Sequence, residues 1–246
     1  MTKVEQLVSD LQAALGAKLK SVVLYGSAAA GDFVPGVSGH DILIVVEQLA
    51  ADDLAALTVP LANWEQAGNP LPQLFTPAEL SASTDVFPIE LLDMQQSRRV
   101  LFGSDPLADV KIDMQHYRMQ LERDLKTRLL LLRRKYLACG GNADRISHLM
   151  IASASTFLVL MRAALRLYNV AVPLEKADAL EQLATHIQFD PQPFRAIIKL
   201  KEQKQAPPRS EVQDQFRKYL TAIEHVVHAV DRHLSHSPPS SENSHG

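Results

Sequence analysis

Two short apolar segments joined by a glycine-containing turn constrain the fold of this chain most. Residues 22–25, Val-Val-Leu-Tyr, and residues 42–46, Ile-Leu-Ile-Val-Val, consist almost entirely of aliphatic and β-branched side chains. Such runs, when glycine and proline bound them, are typical of buried β-strands. Gly26 and Ser27 follow the first run, and three alanines follow them. The pattern predicts a strand, a turn, a short helix, a loop and a second strand.

Gly26 and Ser27 lie at the predicted junction of strand and helix. The N–H groups at a helix start attract anions, and a glycine allows a phosphate to approach the backbone closely. These two residues are therefore candidate phosphate ligands, with an ordinary turn and a helix cap as the alternative. Asp41 precedes the second apolar run. It is a candidate metal ligand, with a turn or capping residue as the alternative.

The combination of Gly26-Ser27 and Asp41 resembles the nucleotidyltransferase superfamily, whose members have a polymerase-β-like palm domain. The segment Ser38-Gly39-His40-Asp41-Ile42-Leu43 is similar to the Ser-Asp-x-Asp-Leu-Leu motif of that family. In the family, Gly-Ser holds a triphosphate and the paired aspartates hold two divalent metals. The resemblance implies that Gly26 and Ser27 bind a nucleoside triphosphate and that Asp41 binds Mg²⁺.

Two positions depart from the family motif. Gly39 stands where the family has its first aspartate, and Ala30 stands where many members have an arginine. Because side chains alternate along a strand, we expect residues 39 and 41 on one face and His40 on the other. His40 then cannot replace the missing ligand. The sequence therefore predicts a depleted metal site that binds Mg²⁺ weakly.

In the family, a later strand supplies a third carboxylate. Residues 86–94, Val-Phe-Pro-Ile-Glu-Leu-Leu-Asp-Met, are predicted to form that strand. Glu90 matches the carboxylate best, as a metal ligand or as the general base for the acceptor hydroxyl. Asp93 is one alternative, and a surface or ion-pair role is the other.

The remaining elements of the first 112 residues follow from local patterns. Apolar residues at three-and-four spacing predict an amphipathic helix over residues 4–19. Further predictions are a helix from residue 50, a short strand over 70–75, a helix starting at Thr76-Pro77, and a strand or turn over 98–106.

From residue 113 onward, long helical patterns replace the short β-like segments. Predicted helices cover residues 113–139, 144–168, 174–187, 193–203 and 210–234, and the second is apolar enough to form the centre of a bundle. We predict an α/β (α+β) nucleotidyltransferase-like domain with a mixed sheet over 1–112 and an all-α helical bundle over 113–236. Residues 237–246 are predicted to be a disordered tail. This domain order is similar to that of antibiotic nucleotidyltransferases.

The first helix of the predicted bundle is basic. Between Arg118 and Lys135 it carries seven basic residues against two acidic ones. A solvated helix face is the favoured interpretation. The alternative, that one or two of these arginines neutralise a triphosphate, stays open.

Composition limits the other classes of function. The net charge of −3 over 246 residues gives no indication of a nucleic-acid partner or an anionic membrane surface. One cysteine, Cys139, cannot form an intrachain disulfide. Without a long uncharged apolar run or a signal-like N-terminus, we expect a soluble cytoplasmic protein.

Two functions remain open at this point. An active enzyme would transfer a nucleoside monophosphate from a nucleoside triphosphate to a hydroxyl of an unknown small-molecule or protein acceptor, using two metals. The alternative is a catalytically impaired protein of the same fold that acts as a nucleotide-binding or regulatory module. Gly39 favours the alternative, because an impaired metal site removes several kcal/mol of transition-state stabilisation.

Overall fold

The chain folds into an α/β unit followed by a helical unit, which confirms the predicted fold class. The computed structural model describes residues 3–30, 39–168, 170–173, 175–203 and 207–236. The two compact units are Met1–Tyr117 and Arg118–Gly246, here called the N-terminal and C-terminal units. The predicted tail at 237–246 lies outside the described residues.

The described part of the N-terminal unit is built on a mixed sheet of four strands. They are β1 (Leu19–Tyr25), β2 (Asp41–Val46), β3 (Gln73–Phe75) and β4 (Arg98–Gly103). The order across the sheet is β3-β2-β1-β4. β1 is antiparallel to both of its neighbours, and β2 is parallel to β3. The two apolar segments that dominate the sequence thus form the central strands.

Helices cover both faces of this sheet. The helices of the unit are α1 (Lys3–Leu15), the short α2 (Ser27–Ala30), α3 (Ala51–Gln66), α4 (Pro77–Ala82) and α5 (Pro88–Gln96). On one face, called the α3 face, α1, α2 and α3 pack against strand residues such as Leu24 and Ile44. On the other, called the α5 face, α4 and α5 pack against Val23, Leu43 and Val45. Burial on both faces explains why the strand sequences are continuously apolar.

The predicted strand over residues 86–94 is wrong, because most of this segment forms α5. Pro88 is the first residue of the helix, where its missing N–H costs no hydrogen bond. Leu91 and Met94, three residues apart, are buried against the sheet, which is a helical spacing. Val86 and Phe87 precede the helix and are 47% and 44% exposed. The segment after α5, predicted as a strand or turn, is β4.

The described C-terminal unit consists of long helices. They are α6 (Met114–Ala138, which begins in the N-terminal unit), α7 (Ala143–Leu165), α8 (Lys176–Ile187), α9 (Gln192–Glu202) and α10 (Val212–His236). α7 packs against α8, α9 and α10, and its Phe157 and Met161 are fully buried. The predicted central position of this helix is confirmed. Leu174, the predicted start of the next helix, lies outside the described residues.

In the described chain, one segment is long and apolar enough to cross a membrane. It runs from Ala143 to Tyr168, and 56% of its most apolar window is buried inside the protein. Such burial is typical of the core helix of a bundle.

The basic face of α6 is largely solvated, as predicted. Lys126 pairs with Glu122 and Asp231, and Arg133 pairs with Glu224. All of these side chains are at least partly exposed, so each pair contributes little to stability.

Candidate functional site

The turn after β1 is the first part of the predicted site. Gly26 adopts a φ of +71°, a left-handed conformation that glycine accepts without steric cost. Its N–H donates to the carbonyl oxygen of Ser97 at 3.0 Å, and its carbonyl oxygen accepts from the N–H of Ala29 at 3.1 Å. Ser27 is the first residue of α2. The turn is therefore fixed on one side to the residue before β4 and on the other to α2.

The structure brings Gly26 and Asp41 together. Asp41 is the first residue of β2 and lies opposite Tyr25, the last residue of β1. A Cβ atom added to Gly26 would lie 3.1 Å from Asp41 Oδ2. The carboxylate thus lies close to the turn, and a residue with a Cβ atom at position 26 would require it to shift by a few tenths of an ångström.

Tyr25 is a residue of this site that sequence reasoning missed. It pairs with Asp41 across β1 and β2 and packs against the α5 face, which places Asp41 on that face as well. Burial, and then the negative charge of Asp41, raise the pKa of Tyr25 above its usual value. The phenol stays protonated near neutral pH and is a hydrogen-bond donor. The hairpin register, which the sequence does not show, is the signal that identifies it.

Position 39 differs from the expectation that residues 39 and 41 share a strand face. β2 begins at Asp41, so Gly39 precedes the strand. A Cβ atom added to Gly39 would lie closer than 3.0 Å to Cδ of Pro70 and 3.4 Å from its Cγ. Real Cβ contacts do not occur at the shorter distance, so a side chain at 39 has no room. Ser38, the first residue of the predicted motif, lies outside the described residues.

His40 is held by the segment that follows α3. Its backbone N–H donates to Asn69 Oδ1 at 3.1 Å, and its ring Nδ1 lies 3.0 Å from the same oxygen. Asn69 is buried and donates through Nδ2 to the carbonyl oxygen of Trp64 at 3.3 Å. Trp64 in turn donates through Nε1 to the carbonyl oxygen of Pro70 at 2.9 Å. We call residues 64–70 the clamp segment.

Glu90, the predicted third carboxylate, lies in the first turn of α5 and is exposed. Asp93 lies three residues further along the same helix, so the two acids share a side of α5 instead of pointing to opposite faces of a strand. The role of Glu90 as a metal ligand or general base stays a prediction, although the strand on which it was placed is absent.

The strands beside Asp41 carry no second carboxylate. Gln73 of β3 is in register with Leu43 and shares the α5 face with Asp41. On the other side, Arg98 of β4 is in register with Tyr25. The Arg98 guanidinium donates to Asp105 Oδ2 at 2.8 Å and to the carbonyl oxygen of Gln95 at 2.6 Å. Across the described sheet, Asp41 is the one acidic residue.

These residues do not fit a pair of divalent metals. Mg²⁺ prefers a nearly octahedral set of oxygen ligands, and a metal pair needs carboxylates that reach both ions. Within the part of the chain that the structure describes, no group of three or more His, Cys, Asp or Glu side chains is placed to hold a metal. The described strands next to β2 therefore offer no carboxylate that could replace the one missing at position 39.

Comparison with known sequences identifies no relative. No family model matches this chain, and no curated protein matches it.

The fold matches a solved nucleotidyltransferase. The crystal structure of spectinomycin adenyltransferase AAD(9) from Enterococcus faecialis, with ATP and spectinomycin, superposes with a TM-score of 0.53. The match covers 95% of this chain and 98% of the other, at 13% sequence identity. At this identity the likeness establishes the fold alone, and it confirms the predicted resemblance to antibiotic nucleotidyltransferases at that level.

Proposed function

We propose that this protein uses a nucleotidyltransferase fold to bind a nucleoside triphosphate at the turn between β1 and α2, without transferring the nucleotide by a two-metal reaction. In this proposal Gly26 and Ser27 contact the phosphates, and the protein acts as a nucleotide-dependent binding or regulatory module. Both parts of the proposal have separate support.

Support for nucleotide binding comes from the turn. The N–H of Gly26 is already donated to Ser97, so the N–H groups that remain for a phosphate are those of Ser27 and Ala28 at the start of α2. Gly26 has no side chain to keep a phosphate away from these groups. The solved adenyltransferase of the same fold contains ATP and a small-molecule acceptor, which supports these two classes of ligand here.

The other part of the proposal rests on the described strands, where no carboxylate other than that of Asp41 is present. The neighbouring strands present Gln73 and Arg98 on the face of Asp41. An amide is neutral and a guanidinium is cationic, so neither shares a divalent ion with Asp41 as a carboxylate would. Loss of metal stabilisation worth about 4 kcal/mol would slow transfer about a thousandfold.

The second candidate function is an active nucleotidyltransferase in which Glu90 supplies the missing carboxylate. One observation favours it: α5 packs through Leu91 and Met94 on the α5 face, which is also the face of Asp41. Glu90 would then act as a metal ligand or as the general base for the hydroxyl of a small-molecule or protein acceptor.

The binding proposal predicts a rise in melting temperature with ATP. At a hundredfold excess over Kd, linkage stabilises the folded state by about 2.7 kcal/mol, which corresponds to roughly 5–10 °C for a chain of this size. We expect Gly26→Ala to abolish the rise, because the new methyl group would lie 3.1 Å from Asp41 Oδ2. Differential scanning fluorimetry with and without Mg²⁺ measures both effects.

Gly68→Ala is the matched control. Gly68 also has a left-handed backbone, with a φ of +88°, but an added Cβ atom there meets nothing within 4 Å. Both substitutions carry a similar backbone strain, so Gly68→Ala separates that strain from the effects of a methyl group beside Asp41 and the N–H groups of α2. A native protein whose melting temperature does not respond to ATP, GTP, CTP or UTP would contradict the proposal.

A further inference from the structure

We infer that Gly39 and Pro70 form a coupled pair that closes the position where the family has its first metal-binding aspartate. Carbon atoms attract each other most at a separation of about 3.5–4.0 Å. A Cβ atom on residue 39 would lie closer than 3.0 Å to Pro70 Cδ, deep in the repulsive range. The glycine at position 39 is therefore required by the position of the Pro70 ring, and the two residues depend on each other.

Pro70 lies at an exposed position, but its backbone is restrained beside residue 39. Its ring is rigid, and its carbonyl oxygen accepts a hydrogen bond from Trp64 Nε1 at 2.9 Å. Trp64 is 4% exposed and belongs to the core on the α3 face. Displacing Pro70 would leave the indole N–H of a buried tryptophan without its acceptor, which is costly.

Gly39 is equally restrained from its own side. The next residue, His40, makes backbone and ring contacts with Asn69 Oδ1. Asn69 is 8% exposed and precedes Pro70 in the chain. Both sides of the close contact are thus hydrogen-bonded to the clamp segment, so a shift that makes room for a side chain at 39 would strain these hydrogen bonds.

This inference goes beyond the proposed function, because it concerns what residue 39 can be and not what the turn binds. If it is correct, Gly39→Asp alone creates a steric clash with Pro70 and does not rebuild a metal pair. Its test depends on the melting temperature, so it can fail or succeed whether or not ATP binds.

A double-mutant cycle tests the coupling. Gly39→Ala adds the Cβ atom, and Pro70→Ala removes the two ring carbons that the Cβ atom would meet. We expect Gly39→Ala to lower the melting temperature of the native protein by roughly 3–10 °C, the range for overpacking in a protein of this size. In the Pro70→Ala background the same change should cost less than about 2 °C.

Pro72→Ala is the control background, because Pro72 is a buried proline of the same region and none of its atoms is among the three nearest to a Cβ atom added at Gly39. There, Gly39→Ala should keep its full cost. If Gly39→Ala costs the same in the Pro70→Ala and native backgrounds, or costs nothing in either, the coupled pair does not exist.

Discussion

Asp41 faces the glycine turn on one side and the phenol of Tyr25 on the other. A negative charge and partial burial at Tyr25 both disfavour the tyrosinate form, so the pKa of this residue is raised, with burial the larger cause. Among the described residues around Asp41, the site thus has one carboxylate, one neutral phenol and backbone N–H groups. A metal pair would need more carboxylate ligands than these.

The raised pKa of Tyr25 predicts a loss of stability at alkaline pH. A group whose pKa is higher in the folded than in the unfolded state stabilises the protein below the unfolded pKa, here 10.0, and loses that contribution as the pH rises toward the folded pKa. We expect the free energy of unfolding to fall by about 1.4 kcal/mol per pH unit for each such tyrosine. Tyr25→Phe should remove the contribution of Tyr25 to this decrease in the free energy of unfolding with pH.

Denaturant titrations at several pH values on either side of 10 measure this slope. Tyr219, whose pKa burial also raises, supplies a second share that Tyr25→Phe leaves in place. An unchanged slope in Tyr25→Phe would show that Tyr25 ionises as readily in the folded protein as in the unfolded chain.

Single residues also show where sequence reasoning stops. The sequence identifies Gly26, Gly39 and Asp41 as candidate site positions, because each belongs to a recognisable local pattern. It does not reveal that Pro70 blocks position 39, because that contact joins residues that are distant in the chain. Nor does the sequence reveal where the strand begins, since β2 starts at Asp41 and Gly39 precedes it.

The largest error among the elements concerns α5. The segment from Val86 to Met94 contains a short apolar run, and periodicity alone does not separate a buried strand from a buried helix at that length. Pro88 was the available signal, because proline is favoured in the first turn of a helix and disfavoured inside a sheet. Moving Glu90 from a strand to an exposed helical turn weakens its case as a metal ligand.

Substitutions in and before α5 test this assignment. Leu91 is 1% exposed in the core of the α5 face, so Leu91→Ala should reduce the free energy of unfolding by about 2–5 kcal/mol. Val86 is 47% exposed, so Val86→Ala should change it by less than about 0.5 kcal/mol. Urea denaturation followed by circular dichroism gives both values. Equal losses in the two variants would mean that the segment does not pack as α5.

The strands were predicted better than their neighbours. Local sequence is sufficient to identify β1 and β2, since their apolar runs are continuous and bounded by glycine and proline. Pairing is a long-range property, however, and it decides that Gln73 and Arg98 lie beside Asp41 and Tyr25. The sheet order is therefore needed to see that the strands next to Asp41 and Tyr25 carry no further carboxylate.

At the scale of the whole molecule, the sequence predicts an α/β unit followed by a helical unit, because long helical patterns replace short β-like segments near residue 113. The likeness to spectinomycin adenyltransferase AAD(9) at 13% identity confirms that a short motif and a domain order can identify this fold when overall sequence similarity is very low. Activity is a separate matter, because it depends on a few side chains that a fold does not specify.

The central claim is that this molecule binds a nucleoside triphosphate and does not transfer its nucleotide. The most direct measurement is pyrophosphate release by the native protein at an ATP concentration that gives the full rise in melting temperature, with Mg²⁺ or Mn²⁺ and with hydroxyl-bearing acceptors such as spectinomycin. We predict no release above the level of an Asp41→Asn variant. Release by the native protein that Asp41→Asn and Glu90→Gln both abolish would contradict the claim and would establish the transferase with Glu90 as its second carboxylate.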